Sequence, residues 1–379
     1  MKKGKTMSND KRNGFINKIG FIGLGLIGGS IAKAIQKYYP EIRLYGHASR
    51  QTTLAAAHDE GVIENDDFLP LEEFAHMDIV FLCSPVRCNI DYLRRLAPLL
   101  DENCLLTDVG SVKGEIQKAA DELGLSAQFI GGHPMTGSEK DGFAFSSAQL
   151  LENAYYILTR NPEIDEVRFN KFKVFISSIG SLAIEATPTL HDHATAAISH
   201  LPHIISATLV RLIRDNDTPD GIMRTIAAGG FKDITRISSS SPVMWQNICM
   251  ENRDELLHLI QLYEEALHKA EEMVSVGDEE ELLSFFSGAK DYRDSLPIRG
   301  NGLLPRANDF YLDLADETGQ IAIVATLLAT AGISLKNIGI VHNREFEEGV
   351  LHIDVYNEAD KDQAMQILTD HGYKIHRRN

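Results

Sequence analysis

The sequence predicts three folded parts: a doubly wound α/β domain over residues 17–187, an all-α helical domain over 188–290 and a small α+β domain over 305–379. Three observations support this division. A strand runs into a glycine-rich turn and a helix near residue 23, long helical patterns replace the strands after residue 187, and a β-α-β-β-α-β order follows residue 305. Residues 1–16 are expected to be a disordered tail. The charged and then glycine-rich stretch over residues 277–304 is interpreted as a linker, for which we take the bounds 291–304.

Composition restricts the class of protein. The formal net charge of −17 excludes the backbone of nucleic acids and anionic membranes as partners. The four cysteines, Cys83, Cys88, Cys104 and Cys249, form no Cys-x-x-Cys pair, which argues for a reducing compartment and against zinc or disulfides. No secretory signal is visible, and no stretch reaches the roughly 20 apolar residues that span a bilayer. We therefore expect a cytoplasmic protein.

The α/β domain begins with a nucleotide-binding pattern. The strand Lys18–Ile22 leads into Gly23-Leu24-Gly25-Leu26-Ile27-Gly28-Gly29-Ser30, and a helix with an apolar face follows. In this context Gly23 permits a tight turn, Gly25 lets a pyrophosphate approach the backbone, and Gly28 lets the helix pack on the strand. The helix N-terminus then presents free N–H groups and a positive dipole end to the phosphates. The pattern predicts a Rossmann-like dinucleotide-binding domain.

The second strand leaves the choice of dinucleotide open. An acid at its end would hold the ribose 2′-hydroxyl of NAD, but the chain reads His47-Ala48-Ser49-Arg50. Ser49 and Arg50 would suit the 2′-phosphate of NADP, although Arg50 is equally explained as a solvated residue at a helix start. On these residues NADP is allowed and NAD is not excluded.

Polar residues follow three further apolar strands of this domain. In a doubly wound sheet, ligands bind outside the carboxyl ends of the strands. We therefore expect one crevice beside the glycine turn, lined by Ser84, Asp108, Ser111, Lys113 and His133. His133 lies in Gly131–Glu139, where two glycines and Pro134 predict a sharp loop after a short buried strand. An imidazole in that position is a candidate general base.

The helical domain is predicted to open with one long helix over residues 189–214, capped by Thr187 and Pro188. His200 and His203 could share a metal, but Pro202 lies between them and no third ligand follows at a helical offset, so we expect hydrogen-bonded histidines and no metal site.

A glycine turn at residues 227–236 presents Lys232 and Arg236 four residues apart. Together these cations could clamp a carboxylate, because a guanidinium offers bidentate geometry. Pairing of Arg236 with Asp233 at a helix end explains the same residues equally well.

The β-α-β-β-α-β order of the last domain is that of a ferredoxin-like unit. It contains no obvious nucleophile and no acid–base pair. A regulatory or oligomerising role is therefore expected for it.

From about residue 17 onward, the chain resembles the prephenate dehydrogenases of tyrosine biosynthesis that carry a C-terminal ACT domain. The resemblance rests on the glycine turn at 23–30, Asp-Val-Gly-Ser-Val-Lys at 108–113 and Gly-Gly-His-Pro-Met-Thr-Gly-Ser-Glu at 131–139. Ser-His-Leu-Pro-His at 199–203, Gly-Gly-Phe-Lys-Asp-Ile-Thr-Arg at 229–236 and Pro-Val-Met-Trp at 242–245 complete it. The glycine turn alone is common to many dehydrogenases, whereas the last four motifs in this order are specific.

The resemblance implies oxidative decarboxylation of prephenate to 4-hydroxyphenylpyruvate with NAD(P)+. It implies that His133 takes the proton of the ring hydroxyl, that Ser111 hydrogen-bonds there, and that Arg236 binds a substrate carboxylate. His203, Lys232, Asp233, Ser138 and Trp245 would complete the substrate pocket. The cofactor would contact Gly23, Leu24, Gly25, Leu26, Ile27, Gly28, Arg50, Ser84, Pro85 and Asp108. The family leans to NAD, with NADP still possible.

The resemblance also implies regulation and assembly. ACT domains bind amino acids, and Gly332, Ile333 and Asn337 match the usual ligand-contacting turn, so feedback inhibition by L-tyrosine is expected. The helical domain of this family implies a homodimer.

Three alternatives stay in view. An arogenate dehydrogenase differs only in an amine on its substrate. A β-hydroxyacid dehydrogenase would need a lysine base on the long helix, which has none over 189–214. An NAD-sensing module would have no use for the loop histidine and the carboxylate clamp together.

Overall fold

The computed structural model describes residues 16–138, 140–296, 308–314, 317–341 and 349–376. These residues fall into two compact units that divide between Lys290 and Asp291. Residues 1–15 of the expected tail, Glu139 and residues 297–304 of the expected linker lie outside the described residues.

The first unit contains a seven-stranded sheet in the order β2-β1-β3-β4-β5-β6-β7. All neighbouring strands run parallel except β5 and β6, which are antiparallel. The strands are β1 Lys18–Ile22, β2 Arg43–His47, β3 Ile79–Leu82, β4 Leu105–Asp108, β5 Phe129–Pro134, β6 Tyr155–Thr159 and β7 Leu182–Ala186. The helices of this part are α1 Leu26–Tyr38, α2 Gln51–Asp59, α3 Leu71–Phe74, α4 Val86–Leu96, α5 Gly114–Glu122 and α6 Glu166–Ser178.

Helices cover both faces of this sheet, so its strands are apolar on both sides. Residues of β1 alternate between two cores: Phe21 packs on one side, where its ring stacks on Phe81 at 5.2 Å, and Ile22 packs on the other. The central strands β3 and β4 are buried throughout. Because β1, β3 and β4 run parallel, their carboxyl ends lie on the same edge of the sheet, where the crevice is expected.

Between β7 and residue 296, the regular elements of the structure are all helices. Thr187 caps the first helix by accepting a hydrogen bond from the Leu190 N–H, and Pro188 occupies its first turn, as predicted. The helices are α7 Pro188–Thr195, α8 Leu201–Asn216, α9 Ile222–Ile226, α10 Gly229–Thr235, α11 Pro242–Glu251, α12 Arg253–Val276 and α13 Glu279–Ser295. A π-helical turn, Ala196–His200, joins α7 to α8 just before Pro202. Since Pro202 has no N–H to give, the regular ladder is interrupted there.

The run from Pro188 to Asn216 is long and apolar enough to cross a membrane by length and composition, with a mean hydropathy of 1.3. The expectation that no stretch reaches this limit is therefore wrong for this helix. It contains few charged residues, and only 17% of its most apolar window is buried within the single chain. Ile198 and Leu212 are among the apolar side chains that it leaves exposed.

The second unit has the predicted element order, with a four-stranded antiparallel sheet in the order β11-β8-β10-β9. Its elements are β8 Asn308–Leu314, α14 Gln320–Thr330, β9 Leu335–Val341, β10 Gly349–Val355, α15 Glu358–Asp370 and β11 Ile375–His376. Alternate residues of β8, such as Phe310 and Leu312, pack with Val324 and Leu328 of α14 in one core.

The structure corrects three local predictions. His133 lies inside β5 rather than on a loop, because the antiparallel strand β6 pairs with Gly131–Pro134 and extends the strand. The glycine turn before Arg236 is largely the short helix α10, with Gly229 at its first position. The charged stretch after residue 277, interpreted as the start of a linker, forms helix α13 through Ser295.

Candidate active site

The glycine turn after β1 has the geometry that the sequence predicted. Gly23 has a φ of +104°, in the left-handed region that favours glycine. A Cβ there would lie 2.7 Å from the Cys83 backbone carbon, and a Cβ at Gly28 would overlap the carbonyl oxygen of Gly23. At Gly25, in contrast, the nearest atom to a Cβ would be an Asp141 oxygen at 4.0 Å. Gly23 and Gly28 are thus required by packing, whereas Gly25 leaves open space above the turn.

Helix α1 begins directly after this space. Gly25 is its N-cap, no side chain caps it, and its first turn has no acidic residue. Leu24 and Leu26 are buried while Ile27 is half-buried, so the turn is anchored by apolar packing. The N–H groups and dipole of α1 therefore face an uncapped opening that fits a pyrophosphate.

The second and third strands complete the nucleotide side. Arg50 is exposed at the start of α2. Ser84 follows β3 with its Oγ 2.8 Å from where a Gly23 Cβ would stand, and its N–H donates to Asn89 Oδ1 (3.0 Å). Pro85 then starts α4.

A buried ion pair lies beneath the site. The Lys113 ammonium donates to Asp108 Oδ2 and to the carbonyl of Gly132 (2.8 Å), and neither side chain has any exposure. Asp108 also accepts from the N–H groups of Gly110 (2.8 Å) and Gly132 (3.1 Å). Burial lowers the pKa of Lys113, against the opposing effect of Asp108. The Asp108 carboxylate is thus fully engaged by the protein and fixes β5 to the loop after β4.

His133 stands on β5 directly beyond this pair. Its Nδ1 lies 2.8 Å from Nε2 of His191, whose own Nδ1 lies 2.7 Å from Asp192 Oδ1. The pKa of His133 is well below its ordinary value, first because of burial and then because positive charge on His191, Lys113 or His200 would repel its imidazolium. A neutral imidazole at pH 7 can accept a proton, so His133 has the state that a general base needs.

The helical region brings a second group of rings toward this point. His203 stacks on Trp245 with ring centroids 3.5 Å apart, and His200 contacts the same indole edge-on at 6.0 Å. His203 Nδ1 is 2.9 Å from the carbonyl of Ser199, which leaves its Nε2 for another partner. Burial lowers the pKa of His200 to about 4 and also lowers that of His203. Among the described residues, no group of three or more metal-ligating side chains comes together.

The Arg236 segment packs against α8, the helix that carries His203. Ser206, one turn beyond His203, donates to the carbonyl of Ile234 (3.1 Å) and lies 2.6 Å from Ser238 Oγ. Arg236 lies between those two contacts and is exposed, as are Lys232 and Asp233 on α10. The structure therefore places His203 and the predicted carboxylate clamp on adjacent segments.

The remaining predicted site residues lie in loops. Ser111 is half-buried between β4 and α5, and Ser138 is exposed after β5, where its Oγ accepts from the Lys140 N–H (3.1 Å). From the sequence, His200 was considered only together with His203, and no role was assigned to His191, Asp192 or Asn252. The adjacent His191-Asp192 pair near the start of a helix was the available signal.

A glycine turn before an uncapped helix, at the edge of a doubly wound sheet, is typical of a nucleotide-dependent dehydrogenase. Two family models match the chain: the prephenate dehydrogenase nucleotide-binding domain over residues 31–185 and the prephenate dehydrogenase dimerization domain over 187–288. A prephenate dehydrogenase of Bacillus subtilis is 38% identical over 351 residues, which are 91% of this chain and 94% of that protein. The chain belongs to the prephenate dehydrogenase family.

Solved structures agree with this assignment. The structure of prephenate dehydrogenase from Aquifex aeolicus, in complex with hydroxyphenyl propionate and NAD+, has a TM-score of 0.70 and 31% identity, covering 77% of this chain and all of that one. Synechocystis arogenate dehydrogenase has a TM-score of 0.66 and 30% identity, covering 73% of this chain and 99% of that one.

Proposed function

We propose that this protein catalyses the oxidative decarboxylation of prephenate to 4-hydroxyphenylpyruvate in L-tyrosine biosynthesis, with NAD+ as cofactor. The observation that carries the proposal is the position of His133 near the carboxyl end of β5, on the sheet edge where the parallel strand β1 leads into the Gly23 turn, with its Nδ1 2.8 Å from His191 Nε2. Family membership supplies the substrate class. Ser49 and Arg50 keep NADP as the second cofactor to test.

The cofactor side is assigned to the residues around the open space at Gly25. The Gly23–Gly28 turn and the N-terminus of α1 would hold the pyrophosphate, with Ser84 and Pro85 beside it and Arg50 toward the ribose. NAD+, when bound, supplies the acceptor for a hydride. The Asp108 carboxylate is fully buried, so Asp108 would support the cofactor site indirectly, by accepting from the Gly110 N–H and so fixing the loop that carries Ser111.

On the substrate side, His133 takes the proton of the ring hydroxyl as hydride leaves the same ring carbon, and Ser111 hydrogen-bonds to that hydroxyl. The bond from the ring to its carboxylate then breaks, carbon dioxide leaves and the ring becomes aromatic. Arg236 is assigned to substrate carboxylate binding, and His203 is assigned to the substrate pocket. Lys232, Asp233, Ser138 and Trp245 are assigned to the rim of the pocket. A protein of charge −17 needs such local cations to bind a dianion.

Absorbance at 340 nm tests this proposal directly, with prephenate or arogenate as substrate and NAD+ or NADP+ as cofactor. We expect the highest kcat/KM with prephenate and NAD+. A preference for arogenate would make the protein an arogenate dehydrogenase, and no turnover of either substrate would refute the proposal.

Two variants separate the roles. His133→Asn should lower kcat by about 10² or more with little change in KM, because a general base contributes about 10² to 10⁴ in rate. Arg236→Gln should mainly raise KM, because loss of one partner of a desolvated charge pair costs roughly 2–5 kcal/mol. The opposite pattern would contradict the assignment.

We also propose that the second unit is an ACT domain through which L-tyrosine inhibits the enzyme. The turn from α14 to β9 contains Gly332, with a φ of +76°, followed by the buried Ile333 and the exposed Asn337 of β9. Tyrosine should lower activity and raise the melting temperature. Gly332→Val, which strains a left-handed position, should remove both effects while leaving uninhibited kcat intact. Inhibition that survives this change would place the effector elsewhere.

The remaining proposals concern assembly, location and boundaries. We propose a cytosolic homodimer, since the second family model is described as a dimerization domain and α8 leaves Leu212 exposed. Light scattering should give twice the 42.0 kDa chain mass, and fractionation should recover the protein without membranes. We keep the boundaries at 17–187, 188–290 and 305–379, which limited proteolysis can test.

A further inference from the structure

We propose that His191 and Asp192 are positioning residues for the base: they hold a proton on Nδ1 of His133, keep its Nε2 free for the substrate, and share the positive charge that forms there. This inference rests on the proposed function of His133. It concerns two residues that lie behind the base, on helix α7 of the helical region.

The geometry is a continuous chain of three side chains. His133 Nδ1 is 2.8 Å from His191 Nε2, and His191 Nδ1 is 2.7 Å from Asp192 Oδ1. The two imidazoles meet edge to face, with centroids 5.0 Å apart. His191 has no exposed surface, so it acts on the substrate only through His133.

Asp192, the last residue of this hydrogen-bonded series, determines the direction of its hydrogen bonds. A carboxylate only accepts, so His191 must carry its proton on Nδ1 to donate to Asp192. Burial lowers the pKa of His191, which keeps its Nε2 unprotonated and therefore an acceptor. His133 must then donate from Nδ1. Its Nε2 is left with a lone pair, which is the form that a base requires.

Asp192 is itself fixed from three sides. Its Oδ1 accepts from the Lys113 N–H and its Oδ2 from the Gly114 N–H, both at 2.7 Å, so it caps the N-terminus of α5. Asn252 of α12 donates to the Asp192 carbonyl (2.8 Å) and also contacts His200 Nδ1 (3.2 Å). The carboxylate therefore cannot swing away from His191 without uncapping α5.

The charges around the base explain why such a chain is needed. Lys113 faces His133 from the loop before α5, and its ammonium disfavours a second positive charge. His200 faces His133 from the π-helical turn, and burial lowers its pKa to about 4, so its ring brings no negative charge that could offset Lys113. Asp108 is already paired with Lys113. Of the carboxylates described here, Asp192 is the one connected to His133 through a hydrogen-bonded ring.

In the reaction, the O–H bond of the substrate hydroxyl breaks and an N–H bond forms at His133 Nε2. The resulting imidazolium keeps its Nδ1 proton in the hydrogen bond to His191, and Asp192 balances the charge at the far end. The proton later leaves from Nε2 to solvent, which returns His133 to its starting state. No oxidant beyond the cofactor of the proposed reaction is involved.

Steady-state kinetics with three variants test the inference. His191→Leu removes the acceptor and should lower kcat by about 10² with KM unchanged, within the contribution of a general base. His191→Gln retains an amide oxygen that can accept from His133 Nδ1 and should recover most of that loss. The control is His193→Gln, two residues away on α7, where the ring contacts Glu255 at an exposed position. It should behave as wild type.

The pH profile distinguishes positioning from mere support of the fold. Asp192→Asn removes the balancing charge, so the acidic limb of kcat/KM should move to lower pH because the His133 imidazolium is less stable. Unchanged kcat in His191→Leu, or equal losses in the leucine and glutamine variants, would overturn the proposal, as would an unshifted limb in Asp192→Asn.

A measurement without substrate separates this inference from the proposed function. In ¹⁵N-histidine-labelled protein, long-range ¹H–¹⁵N spectra should show His133 protonated on Nδ1 in the wild type and a mixture of tautomers in His191→Leu. A wild-type His133 protonated on Nε2 would refute the inference whatever the activity. If the tautomers are as expected but neither prephenate nor arogenate is turned over, the proposed function fails and the hydrogen-bond chain stands.

Discussion

Substituting Lys113 by methionine removes one half of the buried ion pair beneath the base. The ammonium donates to Asp108 and to the carbonyl of Gly132, and both side chains of the pair have 0% exposure. The variant leaves the Asp108 carboxylate in the interior with only the N–H groups of Gly110 and Gly132 as partners. Breaking a buried pair from one side costs about 3–5 kcal/mol.

That loss is a large part of the roughly 5–15 kcal/mol that holds a typical folded protein together. We expect the urea midpoint of Lys113→Met, followed by circular dichroism at pH 7, to fall by the corresponding amount. The double variant Asp108→Leu/Lys113→Met should be clearly more stable than Lys113→Met alone, because no uncompensated charge remains.

A matched control uses the same substitution at an exposed pair. Lys37 contacts Glu152 at 2.8 Å with about half of its side chain exposed, so Lys37→Met should leave the midpoint unchanged. A loss below about 1 kcal/mol in Lys113→Met would refute the reasoning, since it would show that the buried carboxylate finds other partners. A double variant as unstable as the sum of its single changes would refute it too.

Three further predictions follow from local geometry. Gly28→Ala should cost about 1–3 kcal/mol in urea unfolding, because its Cβ overlaps the backbone of the turn, whereas Gly25→Ala should keep wild-type stability and raise the Kd for NAD+ measured by fluorescence; equal stability losses would contradict this. His200 has a folded pKa of about 4, below the unfolded value near 6.5, so it has no effect on stability above pH 6.5. As the pH falls from 6.5 to 4, the unfolded chain takes up this proton preferentially and the free energy of unfolding drops by on the order of 3 kcal/mol. His200→Gln should flatten urea-derived stability across that window, and an unchanged slope would count against it. Iodoacetamide at pH 8 should label the exposed Cys88 but not Cys104, because burial raises the pKa of Cys104 to about 12. Mass spectrometry of the labelled peptides checks this, and alkylation of Cys104 before Cys88 would contradict it.

Most of the nucleotide-binding part of the site could be predicted from the sequence. The strand before Gly23 and the helix after Gly28 follow from periodicity and glycine spacing, and the structure places them as predicted. The shared edge of the strands was also predictable, because parallel strands in a doubly wound sheet end on one side. These are local patterns, so one stretch of sequence contains the whole signal.

What the sequence could not show depends on pairing between distant residues. His133 was expected on a loop because Gly-Gly and Pro134 normally end a strand, and the antiparallel partner β6 decides otherwise. The contact of His133 with His191, 58 positions away, follows from how α7 packs beside α5. Helix α13 was missed because its acidic first turn resembles a linker, although Glu279 and its neighbours suit the N-terminal end of a helix.

The capping of α5 by Asp192 has a consequence for the independence of the two parts of the first unit. The division between the two matched family domains falls before α7, yet the side chain that covers the first N–H groups of α5 comes from beyond it. Truncation after residue 187 would therefore bare the Lys113 and Gly114 amides, and with them would loosen the loop that holds Ser111. If the nucleotide-binding half is expressed alone, the loop around Ser111 and the start of α5 should lose order. The two halves are matched by separate family models, but the first half needs the second to fold completely.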